Sequence, residues 1–314
     1  DGTVVPGAIS VLFDAGIANE MFPLLIFIGI GAMMDFSPVM ERPVYALFGL
    51  TAQAGIFLTM GLAYYVFGFS VREAASIGII GAADGPTSIF VSSRFAPQLL
   101  GPISVAAYSY MSMVPVIQRP VVRALTTKEE RRMNMTLRAG RTVSKRARIL
   151  FPIVVTIVVG IFAPSSSTLI GFLMFGNLLR ESGVVARLSN SAQNELANIV
   201  TIMLGLGISC TMTGDRFLRA DTLMILGMGL VAFVFDTAGG VLSAKLLNLF
   251  MKEKINPMIG AAGISAFPMS SRTIQQMAAR EKPGTFVLMQ ASAANVAGQI
   301  GSVVAGGLLL ALLS

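Results

Sequence analysis

The sequence contains no histidine, no tryptophan and a single cysteine among its 314 residues. These absences exclude chemistry. Without histidine there is no imidazole metal site and no Ser/His or Cys/His nucleophile pair, and one thiol cannot close an internal disulfide. Cys210, in LGISCTM, reads as a small packing residue. Charge is also scarce. Only 12% of residues are charged, where soluble domains carry about a quarter.

Apolar residues make up 54% of the chain, and the mean hydropathy is +0.75. A helix needs about twenty apolar residues to cross a hydrocarbon core. Runs approaching or exceeding that length recur at 21–34, 44–68, 103–122, 149–163, 196–210, 223–249 and 286–313. The expected fold is therefore an all-α, polytopic membrane protein. The first, fourth and fifth runs are short.

The net charge of +7 is unevenly spread: ten of the 23 Lys and Arg fall between Arg119 and Arg148, a segment with only two acids. The positive-inside rule makes this a cytoplasmic loop. It is compatible with docking of an acidic partner. No aromatic residue interleaves the basic run, so a stacking platform for nucleic acid is not expected. Residue 1 is Asp rather than Met, and the chain is expected to begin inside a longer one.

Two segments repeat. IGAADGPTSIFVSSR, from Ile80 to Arg94, returns as IGAAGISAFPMSSR, from Ile259 to Arg272, with one residue fewer between IGAA and SSR. NEMFPLLIFIGIG, from Asn19, is likewise echoed by NELANIVTIMLGLG, from Asn194. The order of runs and motifs divides the chain into a first half at 1–122, a basic loop at 123–148 and a second half at 149–314. If both IGAA...SSR segments are re-entrant hairpins, only Arg72, Arg94, Arg216 and Arg219 lie outside, leaving 19 of 23 bases cytoplasmic. The halves then have opposite orientations. Inverted repeats interrupted by Gly and Pro point to a transport site near the midplane, where irregular backbone survives only inside protein or against a wet cavity.

Asp84, in GAADGPTS, is costly within a membrane and marks a candidate site. Gly85 and Pro86 free nearby carbonyls, and Thr87 and Ser88 add hydroxyls. Such oxygens suit a hard cation; Na+ is expected, with H+ second. The second copy has Gly263 near the equivalent place, with Asn256, Pro257, Ser265 and Pro268 around it, so its ligands are neutral. Arg94 and Arg272 close the two copies, and an arginine there suits a carboxylate. Tyr110 is a candidate proton donor, with Tyr108 beside it, and Asn295 needs a partner in its apolar span. Asp236 is a second intramembrane acid, whereas Asp35, Asp215 and Asp221 fall at span ends. At this level a Na+-coupled secondary transporter of a small organic anion is the preferred reading over an enzyme.

IIGAADGPTSIF, AAYSYMSMVPVIQRP, FGNLLRESGVVARLS and INPMIGAAGISAFPMSSR, in that order, closely resemble the β subunit of sodium-pumping, biotin-dependent decarboxylases acting on oxaloacetate, glutaconyl-CoA or methylmalonyl-CoA. The resemblance covers essentially the whole chain, although the family usually carries additional N-terminal sequence. It implies a subunit that decarboxylates carboxybiotin and drives Na+ outward across a bacterial or archaeal cytoplasmic membrane. Implied partners are a carboxyltransferase, a biotin carrier and a small γ/δ-type membrane subunit, with several copies of the chain per complex. Carried over residue by residue, the family's functional pattern falls on Asp84, Tyr110, Asn256, Gly260, Ser265 and Arg272; Asn295 matches as well. The expected roles are Asp84, Asn256, Ser265 and Asn295 around Na+, Arg272 with Gly260 and Ser265 at carboxybiotin, and Tyr110, Arg272 and Asp84 in catalysis.

Overall fold

A computed structural model describes residues 7–135, 142–214 and 219–313, and among these it is helical throughout its regular structure. Arg138, Arg141, Asp215 and Arg216 lie outside the described residues. Helix α1, Ala8–Phe13, continues through a wider turn, Asp14–Ala18, and the chain bends by 61° into α2, Met21–Met33. After α3, Ser37–Glu41, one apolar span forms as two pieces, α4, Val44–Thr51, and α5, Ala54–Tyr65. The first IGAA segment is α6, Val71–Gly78, and α7, Gly85–Phe95; α8, Leu100–Leu125, follows it, and α9 is Lys128–Arg131.

The rest of the chain comprises α10, Lys145–Phe162; α11, Ser167–Ser182; α12, Ala186–Ser191; α13, Ala197–Ser209; and α14, Ala220–Phe250. The second IGAA segment is α15, Met258–Ala261, and α16, Met269–Glu281, and the last helix is α17, Leu288–Leu313. Among the described residues four spans are long and apolar enough to cross a membrane, Val44–Tyr65, Pro97–Leu125, Ala220–Phe250 and Leu288–Leu313; the bent pair ending in α2, taken as one span, makes a fifth. The run at 149–163 is the apolar part of α10, whose Ile153, Val154, Ile157, Ile161 and Phe162 face outward. The run at 196–210 gains length by another route. A wider turn, Ala192–Leu196, joins α12 to α13, so one helical stretch begins polar and ends apolar.

Charged contacts sort the molecule into two ends. At one, Arg131 pairs with Glu281 at 2.8 Å, Lys245 with Glu130 at 3.2 Å, and Arg180 with Asp35 at 3.8 Å. Burial pushes the Glu130 carboxyl up, but hydrogen bonds from Thr127 and Lys245 outweigh it and hold the carboxyl below its ordinary range. At the other end Arg94 pairs with Glu20, and Arg72 donates to the Leu313 carbonyl. The first end is the one that carries the basic loop.

Both IGAA segments turn back on themselves. Gln98, just past α7, donates to Glu73 of α6 at 3.0 Å, and the Arg72 guanidinium lies 5.9 Å from the centre of the Phe95 ring. This hairpin therefore opens at the end away from the basic loop. The second opens onto that loop: Asn256 donates to the Met133 carbonyl at 2.9 Å, and Arg132 donates to the Glu281 carbonyl at 3.2 Å. Helix α8 starts beside the first mouth and ends beside the second, and its 26 residues span about 39 Å at 1.5 Å per residue. The two tips meet between those ends, where the Ser265 N–H donates to the Ala82 carbonyl at 3.1 Å.

Local sequence explains each reversal. A capping box of Ser70 and Glu73 starts α6. A short 3-10 turn then ends at Ala83, whose φ of +53° is left-handed, and Asp84 is extended. Pro86 follows within the first turn of α7, where its missing N–H costs nothing. In the second hairpin the turn before α16 contains a cis Phe267–Pro268 bond.

Lipid provides no hydrophobic drive between helices, so close backbone packing matters more than in water. A Cβ on Gly298 of α17 would fall 2.0 Å from the Gly263 carbonyl, and one on Gly260 would fall 1.9 Å from the Gly240 carbonyl of α14. Helix α8 lies along α14 while α17 lies along α4, so the helix that follows each hairpin packs on the span that precedes the other hairpin. Overpacking costs about 1–3 kcal/mol. Gly298→Ala is expected to lower the Tm of the purified complex by several degrees, whereas Gly227→Ala, whose Cβ would meet nothing within 4 Å, leaves it unchanged.

Candidate functional site

Breaking helices inside the molecule leaves carbonyls without partners, and side-chain amides fill the gap. Gln118 of α8 donates to the Ala261 carbonyl at 2.7 Å, and Asn295 of α17 donates to the Ile264 carbonyl at 2.6 Å. Gln53, in the break between α4 and α5, donates to the Gly49 carbonyl at 3.0 Å. The Ser265 hydroxyl donates to the Gly298 carbonyl at 2.9 Å. Each amide spends its nitrogen this way. The oxygens of Gln53, Gln118 and Asn295 stay buried with no partner.

Asp84 stands one residue past the tip and is 3% exposed. Thr87 at 2.6 Å, Gln299 at 2.6 Å and Ser302 at 2.9 Å all donate to its Oδ2. Donors and burial of this kind hold a carboxylate in place away from water. Because Gln299 and Ser302 belong to α17, the same helix that steadies the second tip through Asn295 also grips the acid of the first. Asp84, Ser265 and Asn295 are thus brought together.

The other expected residues are placed elsewhere. The Asn256 amide nitrogen donates to the Met133 carbonyl at 2.9 Å and its oxygen accepts from the Met258 N–H at 3.0 Å, at the foot of the second hairpin. Gly260 is the point of backbone contact with α14. The Tyr110 hydroxyl donates to the Leu226 carbonyl, and its ring packs against Gly229. Arg272, one turn into α16, is exposed and has no side-chain hydrogen bond or ion pair among the described residues. Its counterpart Arg94 is taken up by Glu20.

The Ser302 hydroxyl escaped the sequence reading, and so did three amides, Gln53, Gln118 and Gln299. The available signal was the one used for Asn295, a polar amide in an apolar span. Asp236 is fully buried and accepts the Gly55 N–H at 2.5 Å, capping α5 from another helix, while its Oδ2 has no partner. Among the described residues no group of three or more His, Cys, Asp or Glu could hold a metal ion. Any cation here relies on one carboxylate and neutral oxygens.

Opposed hairpins that meet at a buried acid within a bundle of apolar spans define a membrane protein of the ion-transporting class. The chain belongs to a family within it, because the profile of the Na+-transporting oxaloacetate decarboxylase beta subunit matches residues 2–313. The chain is 51% identical over 310 residues to the methylmalonyl-CoA decarboxylase subunit beta of Propionigenium modestum, covering 99% of this chain and 78% of that one. It is 50% identical over 310 residues to the oxaloacetate decarboxylase beta chain 2 of Salmonella typhi, covering 97% and 71%. Identity to the glutaconyl-CoA decarboxylase subunit beta of Acidaminococcus fermentans is 50% over 307 residues, covering 98% and 81%. The chain is a membrane-embedded decarboxylase subunit that couples decarboxylation to Na+ export, and it belongs to a multisubunit, biotin-dependent complex. The secondary-transporter reading gives way to this one.

Removing a donor from a buried carboxylate costs about 1–3 kcal/mol. Gln299→Leu is expected to destabilise the complex by that amount in denaturant titrations, and by less than half as much in an Asp84→Asn background. A double-mutant cycle reads the coupling directly.

Proposed function

We propose that Asp84, Ser265 and Asn295 hold the exported Na+ where the hairpins meet, and that Arg272 receives the carboxylate of carboxybiotin. The observation that carries the ion site is the pairing of one buried carboxylate with unpartnered amide oxygens at the tips. Rotation of the Thr87 and Ser302 hydroxyls turns donors to Asp84 into acceptors for a cation. Inversion of the Gln299 amide adds an oxygen. Asn256 lies outside this shell and fixes the second hairpin to the basic end; Gly260 serves by letting that hairpin approach α14.

The exposed, unpaired guanidinium of Arg272 suits an incoming anion, since its planar fork matches a carboxylate. Loss of CO2 from carboxybiotin breaks the N–C bond, and the ring nitrogen then takes a proton. Tyr110 helps deliver that proton, which requires its hydroxyl to leave the Leu226 carbonyl. Coupling follows if carboxybiotin and Na+ favour different arrangements of the two hairpins, because a ligand shifts an equilibrium only by its differential affinity. The two halves, 1–122 and 149–314, act as inverted repeats about the tip contact. A carboxyltransferase and a biotin carrier deliver the carboxyl group at the basic end, in the cytoplasm of a bacterium or archaeon, and a small γ/δ-type membrane subunit completes a complex with several copies of this chain.

The test is decarboxylation of free carboxybiotin by the purified membrane subunits, with Na+ titrated from near zero. Saturable activation is expected in the wild type and none in Asp84→Asn, with assembly preserved; unchanged activation in Asp84→Asn rejects the site. Arg272→Ala is expected to raise the half-saturating carboxybiotin concentration at least tenfold, about 1.4 kcal/mol, with Arg272→Lys recovering only part of it.

A further inference from the structure

Tyr108 rather than Tyr110 is the tyrosine that borders Asp84. A Cβ placed on Gly85, the residue after Asp84, would lie 2.6 Å from Tyr108 Cζ, the ring carbon that bears the hydroxyl. That hydroxyl is buried and has no partner. The same residue lines a cavity of about 210 Å³ between α8 and α13, together with Ser104, Leu204, Gly205 and Ile208. Tyr108 therefore touches both this cavity and the turn that carries Asp84.

The cavity lies in the half of the molecule away from the basic loop. Its α8 residues are within the first three turns of that helix, near the mouth of the first hairpin, and its α13 residues run toward that helix's C-terminus. Na+ exported from the basic end has to leave through this half. The lining is mainly apolar, as in constrictions that close by excluding water.

We propose that Tyr108 is the outer gate of the Na+ site and that the cavity between α8 and α13 is the exit. The ring blocks leakage while the hairpins are loaded. When it swings away from Gly85, the cavity wets and the ion departs through it. This inference rests on Asp84 as the Na+ site. Tyr108 is a positioning and gating residue and takes no part in the bond-breaking step.

The experiment reconstitutes the whole decarboxylase complex in liposomes and measures Na+ accumulated per CO2 released. Tyr108→Ala is expected to keep Na+-activated decarboxylation while the ratio falls at least threefold through back-leak. Tyr108→Phe, which keeps the ring, is expected to hold the wild-type ratio. A wild-type ratio in Tyr108→Ala overturns the gate.

Gly205→Phe provides the second arm. A Cβ at Gly205 meets nothing within 4 Å, so the new ring fills the cavity without disturbing the fold. Accumulation and Na+-activated turnover are expected to fall together at least fivefold at unchanged Tm, and wild-type pumping overturns the exit path. Should Tyr108→Ala fail to assemble, this variant decides alone. Failure of the Na+ site itself is read separately, from Na+ activation that survives in Asp84→Asn.

Discussion

A backbone carbonyl freed inside hydrocarbon must find a donor within the protein, because no water is available to supply one. Both hairpins free carbonyls, and buried side-chain amides of the apolar spans answer that demand. Gln118 and Asn295 come from α8 and α17, the helices that follow the two hairpins, and each donates to a carbonyl of the second hairpin. Gln53 supplies the break between α4 and α5. The proposed ion site is a by-product of this satisfaction: an amide that gives away its N–H keeps an oxygen, and the oxygens are left in the dry interior.

Glycine makes the arrangement close enough to work. Without side chains at Gly260 and Gly240, or at Gly263 and Gly298, the hairpins pack against the long helices backbone to backbone. The short side chains of Asn295 and Ser265, an amide and a hydroxyl, then reach their carbonyls. Rigidity follows. A helix such as α17 that grips both tips cannot release one without being felt by the other.

The architecture was legible where sequence encodes it directly. Charge counting placed Arg131, Lys245 and Arg180 at one end and Arg72 and Arg94 at the other, and salt bridges and hydrogen bonds group them the same way. The repeated IGAA...SSR frame marked both breaks, because Gly and Pro, with an acid in the first copy, interrupt an apolar run visibly; whether each was a hairpin or a broken crossing helix stayed open in the sequence. Distances across the bundle were not legible. Asn256 precedes its hairpin in sequence and looks like a ligand, yet its amide is committed to Met133, which is 123 residues away along the chain. Tyr108 and Tyr110 are two apart on α8 and so face different neighbours, one toward Gly85 and the other toward Leu226. Nothing in their spacing says which neighbour lies where.

The tip-to-tip contact between Ser265 and Ala82 also has an electrical meaning. One hairpin enters from each end of the molecule, and the contact lies buried between them. Moving one elementary charge through 100 mV takes about 2.3 kcal/mol. In the proposed pump an ion that passes this contact works against the membrane voltage, and the rate of that step varies with the potential it builds.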